Sequence, residues 1–167
     1  MSEYADCIQA IAQALRDQLP VVLAGRGLPQ VIGDNAVIPH GEHREQPPLG
    51  DPEIWIDIAS ASPAGFSGTP AGGYTVDNMT VRLRLFSRPT GLIPEESFET
   101  WLYFLAAVRA TCERYGGSEA NAQPTFLSIR PEAAARRTEK GVWYEGTMTM
   151  TLPVQVQTYH LGDPATI

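Results

Sequence analysis

The sequence predicts an α+β fold: a mainly antiparallel sheet with a long C-terminal strand, packed by two main helices. Three observations predict it. From Val142 to Thr158 the even positions Tyr144, Met148, Met150, Leu152, Val154 and Val156 are apolar, while the odd positions Glu145, Thr147, Thr149, Thr151, Gln155 and Gln157 are polar. Successive strand residues point to opposite faces, so this is one long strand with one buried face, in a register that a one-residue slip would invert. Met79, Val81, Leu83 and Leu85 alternate with Thr80, Arg82 and Arg84 in the same way. Apolar residues spaced three and four apart, at Tyr4, Ile8, Ile11, Ala12, Leu15 and Leu19, supply a helix to cover such a face.

The elements follow in order. The first helix runs from about Tyr4 and is closed by Pro20. The apolar stretch from Val21 to Ala24 leads to Gly25-Arg26-Gly27, and two short apolar runs around Gly33-Asp34-Asn35 read as a hairpin or a bent strand pair. Residues 39–52 hold four prolines (Pro39, Pro47, Pro48 and Pro52) and read as a loop. A strand at Ile54–Ile58 is followed by residues 59–77, rich in Ser, Gly, Ala and Pro, which read as a long mobile connection. After the arginine-bearing strand, Pro94 opens a second helix. Glu95, Glu96 and Glu99 lie in its first turns and Arg109 and Arg114 near its end, an order that complements the helix dipole. Its middle, Trp101 to Val108, is apolar nearly all round and is expected to be buried on more than one side. Gly116-Gly117 stops it. A strand around Phe126–Ile129 and a charged, mobile tip at 131–141 lead into the final strand. There Pro153, unable to donate a ladder hydrogen bond, predicts an edge or a bulge.

Composition bounds the rest. The 167 residues suit one domain spanning 1–167. With 43% hydrophobic and 19% charged residues, the chain is not globally disordered. No run of about eighteen apolar residues predicts a membrane span, and the N-terminus lacks the pattern of a signal peptide, so the reading is a protein made in a cytoplasm. Cys7 and Cys112 fall in helical patterns and read as buried free thiols. The net charge of −7 argues against a protein that grips nucleic acid through its phosphates. The basic residues are eleven arginines and Lys140, a bias that a GC-rich genome would also produce.

No constellation supports catalysis. His40-Gly41-Glu42-His43 is placed in a loop by Pro39 and Gly41 and lacks the further ligands of a zinc site. Neither Gly25-Arg26-Gly27 nor Gly65–Gly73 fits a phosphate-binding loop, since the lysine is missing and the second runs into a strand. The expectation is a protein that is not an enzyme, with no catalytic, cofactor-binding or metal-binding residues. Candidate interface residues are Arg82, Arg84 and Arg88 on one strand face and Arg136, Arg137 and Lys140 at the tip. Three like charges on one strand face are unfavourable unless carboxylates answer them, and a neighbouring chain could supply these.

The layout as a whole carries a resemblance. An amphipathic N-terminal helix precedes short strands. The strand Val81-Arg82-Leu83-Arg84-Leu85-Phe86 leads into the helix opened by Pro94-Glu95-Glu96, and a Trp143-containing tip begins the long last strand. From about Tyr4 to Tyr159 this resembles the tail terminator (tail completion) proteins of long-tailed bacteriophages, small α/β proteins that form a ring on top of the tail tube. The longer 59–77 segment and the proline-dense 39–52 segment depart from the pattern as insertions.

The resemblance implies a structural virion protein of the tail-neck region. Its partners would be itself, in a ring of six, the tail tube protein, and a head-side connector or neck protein. DNA would pass through the lumen without specific binding, and no membrane would be involved. The alternatives are another neck component, such as a head-closure or head-tail joining protein, or a small-ligand-binding α+β domain with its site in the 39–77 loops.

Overall fold

The computed structural model describes residues 3–27, 36–39, 52–69, 72–87, 94–115, 124–132, 137–138, 141–142 and 144–158. In chain order these form α1 (Glu3–Gly25), β1 (Val37–Pro39), β2 (Glu53–Thr69), β3 (Gly72–Ser87) and α2 (Pro94–Tyr115). β4 (Thr125–Glu132), β5 (Arg137–Thr138), β6 (Gly141–Val142) and β7 (Tyr144–Thr158) follow. The main sheet has the order β1-β2-β3-β7-β4, antiparallel throughout except for the parallel pair β1-β2. The α+β fold with a long C-terminal strand is therefore present as the sequence predicts. β5 and β6 form a separate two-stranded hairpin within the charged tip.

Alternation places the core. Ile54 and Ile56 of β2, Met79, Val81, Leu83 and Leu85 of β3, and Met148, Met150, Leu152 and Val154 of β7 are all buried on one sheet face. α1 answers with Cys7, Ile8, Ile11, Ala12, Leu15, Leu19 and Leu23. α2 answers with Trp101, Phe104, Leu105, Ala107, Val108 and Cys112. Full burial of each large side chain contributes about 1.5–3 kcal/mol, so this single apolar layer accounts for the cohesion of the fold. Both cysteines are free and buried, as expected.

Trp101 is the keystone of the α2 contact. Its ring stacks on Tyr144 (centroids 5.7 Å apart) and on Phe104 (5.8 Å). It also lies over Gly146, where a Cβ would sit 2.8 Å from the ring. Glycine interrupts the apolar face of β7 here because only a missing side chain leaves room for the indole.

Three expectations are corrected, and a fourth, the strand pair near residue 35, is described only in its second half. α1 does not close at Pro20. It carries that proline inside and runs on to Gly25, because Leu23 continues the buried series Leu15-Leu19-Leu23 and its burial offsets the lost backbone hydrogen bond. A turn at Arg26-Gly27 follows the helix end: the φ of 71° at Gly27 suits glycine, with Arg26 N–H donating to Leu23 O and Gly27 N–H to Ala24 O. The described part of the proposed strand pair near residue 35 is β1, which runs parallel to β2, with Ile54 N–H donating to Ala36 O. The first run, 30–35, lies outside the described residues.

The largest correction concerns 59–77. Instead of a loop, residues 59–69 continue β2 and 72–77 begin β3, with only Pro70-Ala71 between them. Gly, Ser and Pro report side-chain preferences, whereas this segment is held by backbone ladder bonds to β3, which is itself paired to β7. Register shifts at Ile58/Ser60 and Pro63/Gly65 absorb the irregular residues. Finally, the middle of α2 is buried on one side only: Phe98, Leu102 and Tyr103 are exposed. Residues 39–52 fall almost entirely outside the described residues, as do most of 131–141.

Pro153 sits where the edge reading requires. β4 begins opposite Thr151, so beyond that point β7 has a described partner only in β3. The missing N–H is tolerated where one side of the strand is unpaired.

Candidate interaction surface

Both helices lie on the apolar face, so the opposite face of the sheet is left to the polar alternates of the same strands. Arg82 and Arg84 of β3, Glu145, Thr147 and Thr149 of β7, and Ser128 and Arg130 of β4 line a concave depression of about 520 Å³ there. Their convergence follows from register. Arg82 stands opposite Thr149, Arg84 opposite Thr147, and Arg130 opposite Thr147 from the other side.

Arg84 is the organised centre of this face. Its Nη2 donates to Glu145 Oε1 at 2.8 Å. Its guanidinium carbon stands 5.1 Å from the Trp55 ring centroid and 5.5 Å from that of Phe86. Those two rings meet at 4.8 Å, and Trp55 Nε1–H donates to Glu53 Oε1 at 2.6 Å. A planar cation clamped over two rings and held by a carboxylate is preorganised, which is arginine's advantage over lysine. Arg82 lies directly across the sheet from Asp57.

The arginine face is thus answered at least in part from within the chain. Glu145 answers Arg84, and a neighbouring chain is not needed for that charge. Among the described residues singled out from sequence, Arg82 and Arg84 are brought together. Arg88, Arg136 and Lys140 lie outside the described residues, as does the His40–His43 segment. Arg137 belongs to β5, which pairs with β6 and is not a strand of the main sheet.

Sequence reasoning missed Arg130, Glu145, Ser128 and the two threonines as neighbours of the arginines. The alternation of β7 did place Glu145, Thr147 and Thr149 on one polar face. It carried no information on which strand lies beside it.

The hydroxyls of Ser128, Thr147 and Thr149 and the guanidinium groups of Arg82, Arg84 and Arg130 can donate hydrogen bonds to carboxylates or other anions. Among the described residues no three His, Cys, Asp or Glu side chains come together as a metal site. No described helix is long and apolar enough to cross a membrane.

Among the described residues, three ionisable groups outside this depression have shifted pKa values. Tyr4 O–H donates to Asp77, joining the start of α1 to β3, and that bond raises the tyrosine pKa. Burial pushes Tyr144 up, and burial followed by the nearby Glu113 pushes the Cys112 thiol to about 12.

No family model matches the chain, and no curated protein does. Among solved structures, one with a similar arrangement is a chain of the "virion of native gene transfer agent (GTA) particle". The two share 16% identity at a TM-score of 0.42, with 88% of this chain and 92% of that chain covered. At that identity and score, function does not transfer from one chain to the other.

Proposed function

We propose that this protein is a structural component of a phage-like virion, forming a ring at the end of the tail tube that terminates its polymerisation and joins the tail to the head-side connector. The observation that carries the reading is the arrangement of the chain. Its helix–strand–helix–strand order is the one that resembles the tail terminators. That order puts both helices on one sheet face and leaves the other polar and concave, lined with charged side chains that include the Arg84–Glu145 pair. Such a face suits contact with other protein surfaces, where an arginine already held in place loses little freedom on docking.

The subunits would associate with one another, in six copies on the resemblance, and with the tube subunit below and a neck protein above. A terminator needs one surface that fits the tube and another that refuses the next tube ring, because tube subunits stack through heterologous contacts without limit. The charged tip containing Arg136, Arg137 and Lys140 is assigned to the differing surface. Net charge of −7 suits a lumen through which DNA slides, since like charges repel.

Deletion of the gene tests the proposal. Tails of irregular and excessive length that fail to join heads are expected. Tails of normal length beside unjoined, leaking heads would assign the protein to another neck position. Normal particles would overturn the structural reading and return the ligand-binding alternative.

A further inference from the structure

The main sheet changes width along its length. At the end near Ile54 it is five strands wide, because β1 flanks β2 at Ile54–Ile56 and β4 flanks β7 up to Thr151. Beyond that level, among the described residues, only β2, β3 and β7 continue, as a three-stranded arm running to Thr69, Gly72 and Thr158. The strands contain 17, 16 and 15 residues and span about 50 Å at ~3.3 Å per residue. The 23 residues of α1 span about 35 Å at 1.5 Å per residue. The strands are thus longer than α1; Leu152 and Val154 of the arm remain in the core, while every residue of β2 from Ile58 to Gly65 is exposed.

The arm has two outer edges, one along β2 from Ser60 and one along β7 from Leu152. Neither has a described strand beside it. Neither carries a charged residue, from Ser60 to Thr69 or from Leu152 to Thr158. Exposed edges are normally blunted with charge, so uncharged edges are open to strand addition. Pro63, Pro153 and the shift at Pro63/Gly65 subtract donors and confine the pairing to a short stretch.

The edges are also level with each other: Ala61 and Leu152 both stand opposite Met79, and Gly65 and Gln155 both stand opposite Val76. β2 and β7 run in the same direction, since each is antiparallel to β3.

We propose that the arm is a self-association element in which the outer edge of β2 in one copy pairs, in parallel, with the outer edge of β7 in the next. Edges at the same level let copies follow one another side by side, a heterologous contact that gives a closed ring where the rotation between copies closes. This deepens the ring reading above by naming its contact.

Variants with one added cysteine test it. Gly65 has no atom within 4 Å of an added Cβ and no positive φ, and Gln155 is exposed, so Gly65→Cys and Gln155→Cys suit the fold. The native Cys7 and Cys112 are buried and stay unreactive. The two variants are mixed at millimolar concentration, oxidised, and run on a non-reducing gel beside each variant alone.

A disulfide-linked dimer in the mixture, absent from either variant alone and lost on reduction, is the expected result. A dimer from Gly65→Cys alone or from Gln155→Cys alone would indicate like-edge pairing and overturn the proposal. No cross-link in the mixture would overturn it as well. Native mass measurement separates the two readings. A closed ring without the cross-link leaves the ring reading standing and removes the edge contact; the cross-link in open chains does the reverse.

Discussion

Gly146→Ala should destabilise the protein although it adds one methyl group to a strand. The new Cβ would lie 2.8 Å from Trp101 Cζ2, 3.1 Å from the Arg130 carbonyl oxygen and 3.4 Å from Leu105 Cδ2. Carbon atoms pack best at about 3.5–4.0 Å, so the indole must retreat by roughly 1 Å. It has nowhere to go: Trp101 is fully buried and stacked between Tyr144 and Phe104. Overpacking of this kind costs about 1–3 kcal/mol.

Opposing it, alanine restricts the unfolded chain and contributes about 0.4–1 kcal/mol of stability. The net expectation is a loss of about 1–2 kcal/mol. With a urea m-value of about 2 kcal/mol/M, the unfolding midpoint falls by roughly 0.5–1 M at unchanged slope. Far-UV circular dichroism through a urea titration reads it. Trp101→Phe removes the clashing atom, so the same alanine should cost less in that background. A midpoint that is unchanged or raised, or two mutations that simply add, would refute the role assigned to Gly146.

Three further expectations concern the pairs on the open face, the thiols and the helix surface. Glu145→Gln should cost under about 1 kcal/mol by urea titration, because its pair with Arg84 is more than a third exposed; Arg84→Ala should cost more, since it also uncovers Trp55 and Phe86. The folded pKa of Cys112 is raised from 9.0 to about 12, so its contribution to stability is complete below pH 9 and is lost as pH rises through that window. Urea midpoints measured from pH 8 upward should fall less steeply in Cys112→Ala than in the wild type, and a native thiol titration should find neither cysteine reactive until the chain unfolds. On α2, Leu102→Ser should change stability by no more than about 0.5 kcal/mol, whereas Phe104→Ala should cost about 3–5 kcal/mol; comparable losses would mean that the exposed side of the helix is buried after all.

What the sequence determined by itself was whatever depends on periodicity. The even positions of β7 and the odd positions of β3 had to share a buried face, because a strand's side chains alternate whatever lies beside it. The 3.6-residue pattern likewise fixed the face of α1 that is buried, and Pro94 fixed where α2 begins. Tertiary structure decided whatever depends on partners distant in sequence.

Pro20 reads as a helix stop until Leu23 has a core to enter. Residues 59–77 read as a loop until β3, secured by β7, offers them a hydrogen-bonded ladder. Trp101 to Val108 looks buried all round until α1 and the sheet cover it from one side and leave Leu102 and Tyr103 exposed. The arginine face was legible, but its partner Glu145 and the neighbouring Arg130 were not. Which strand lies beside which is a matter of long-range register, and local pattern does not encode it.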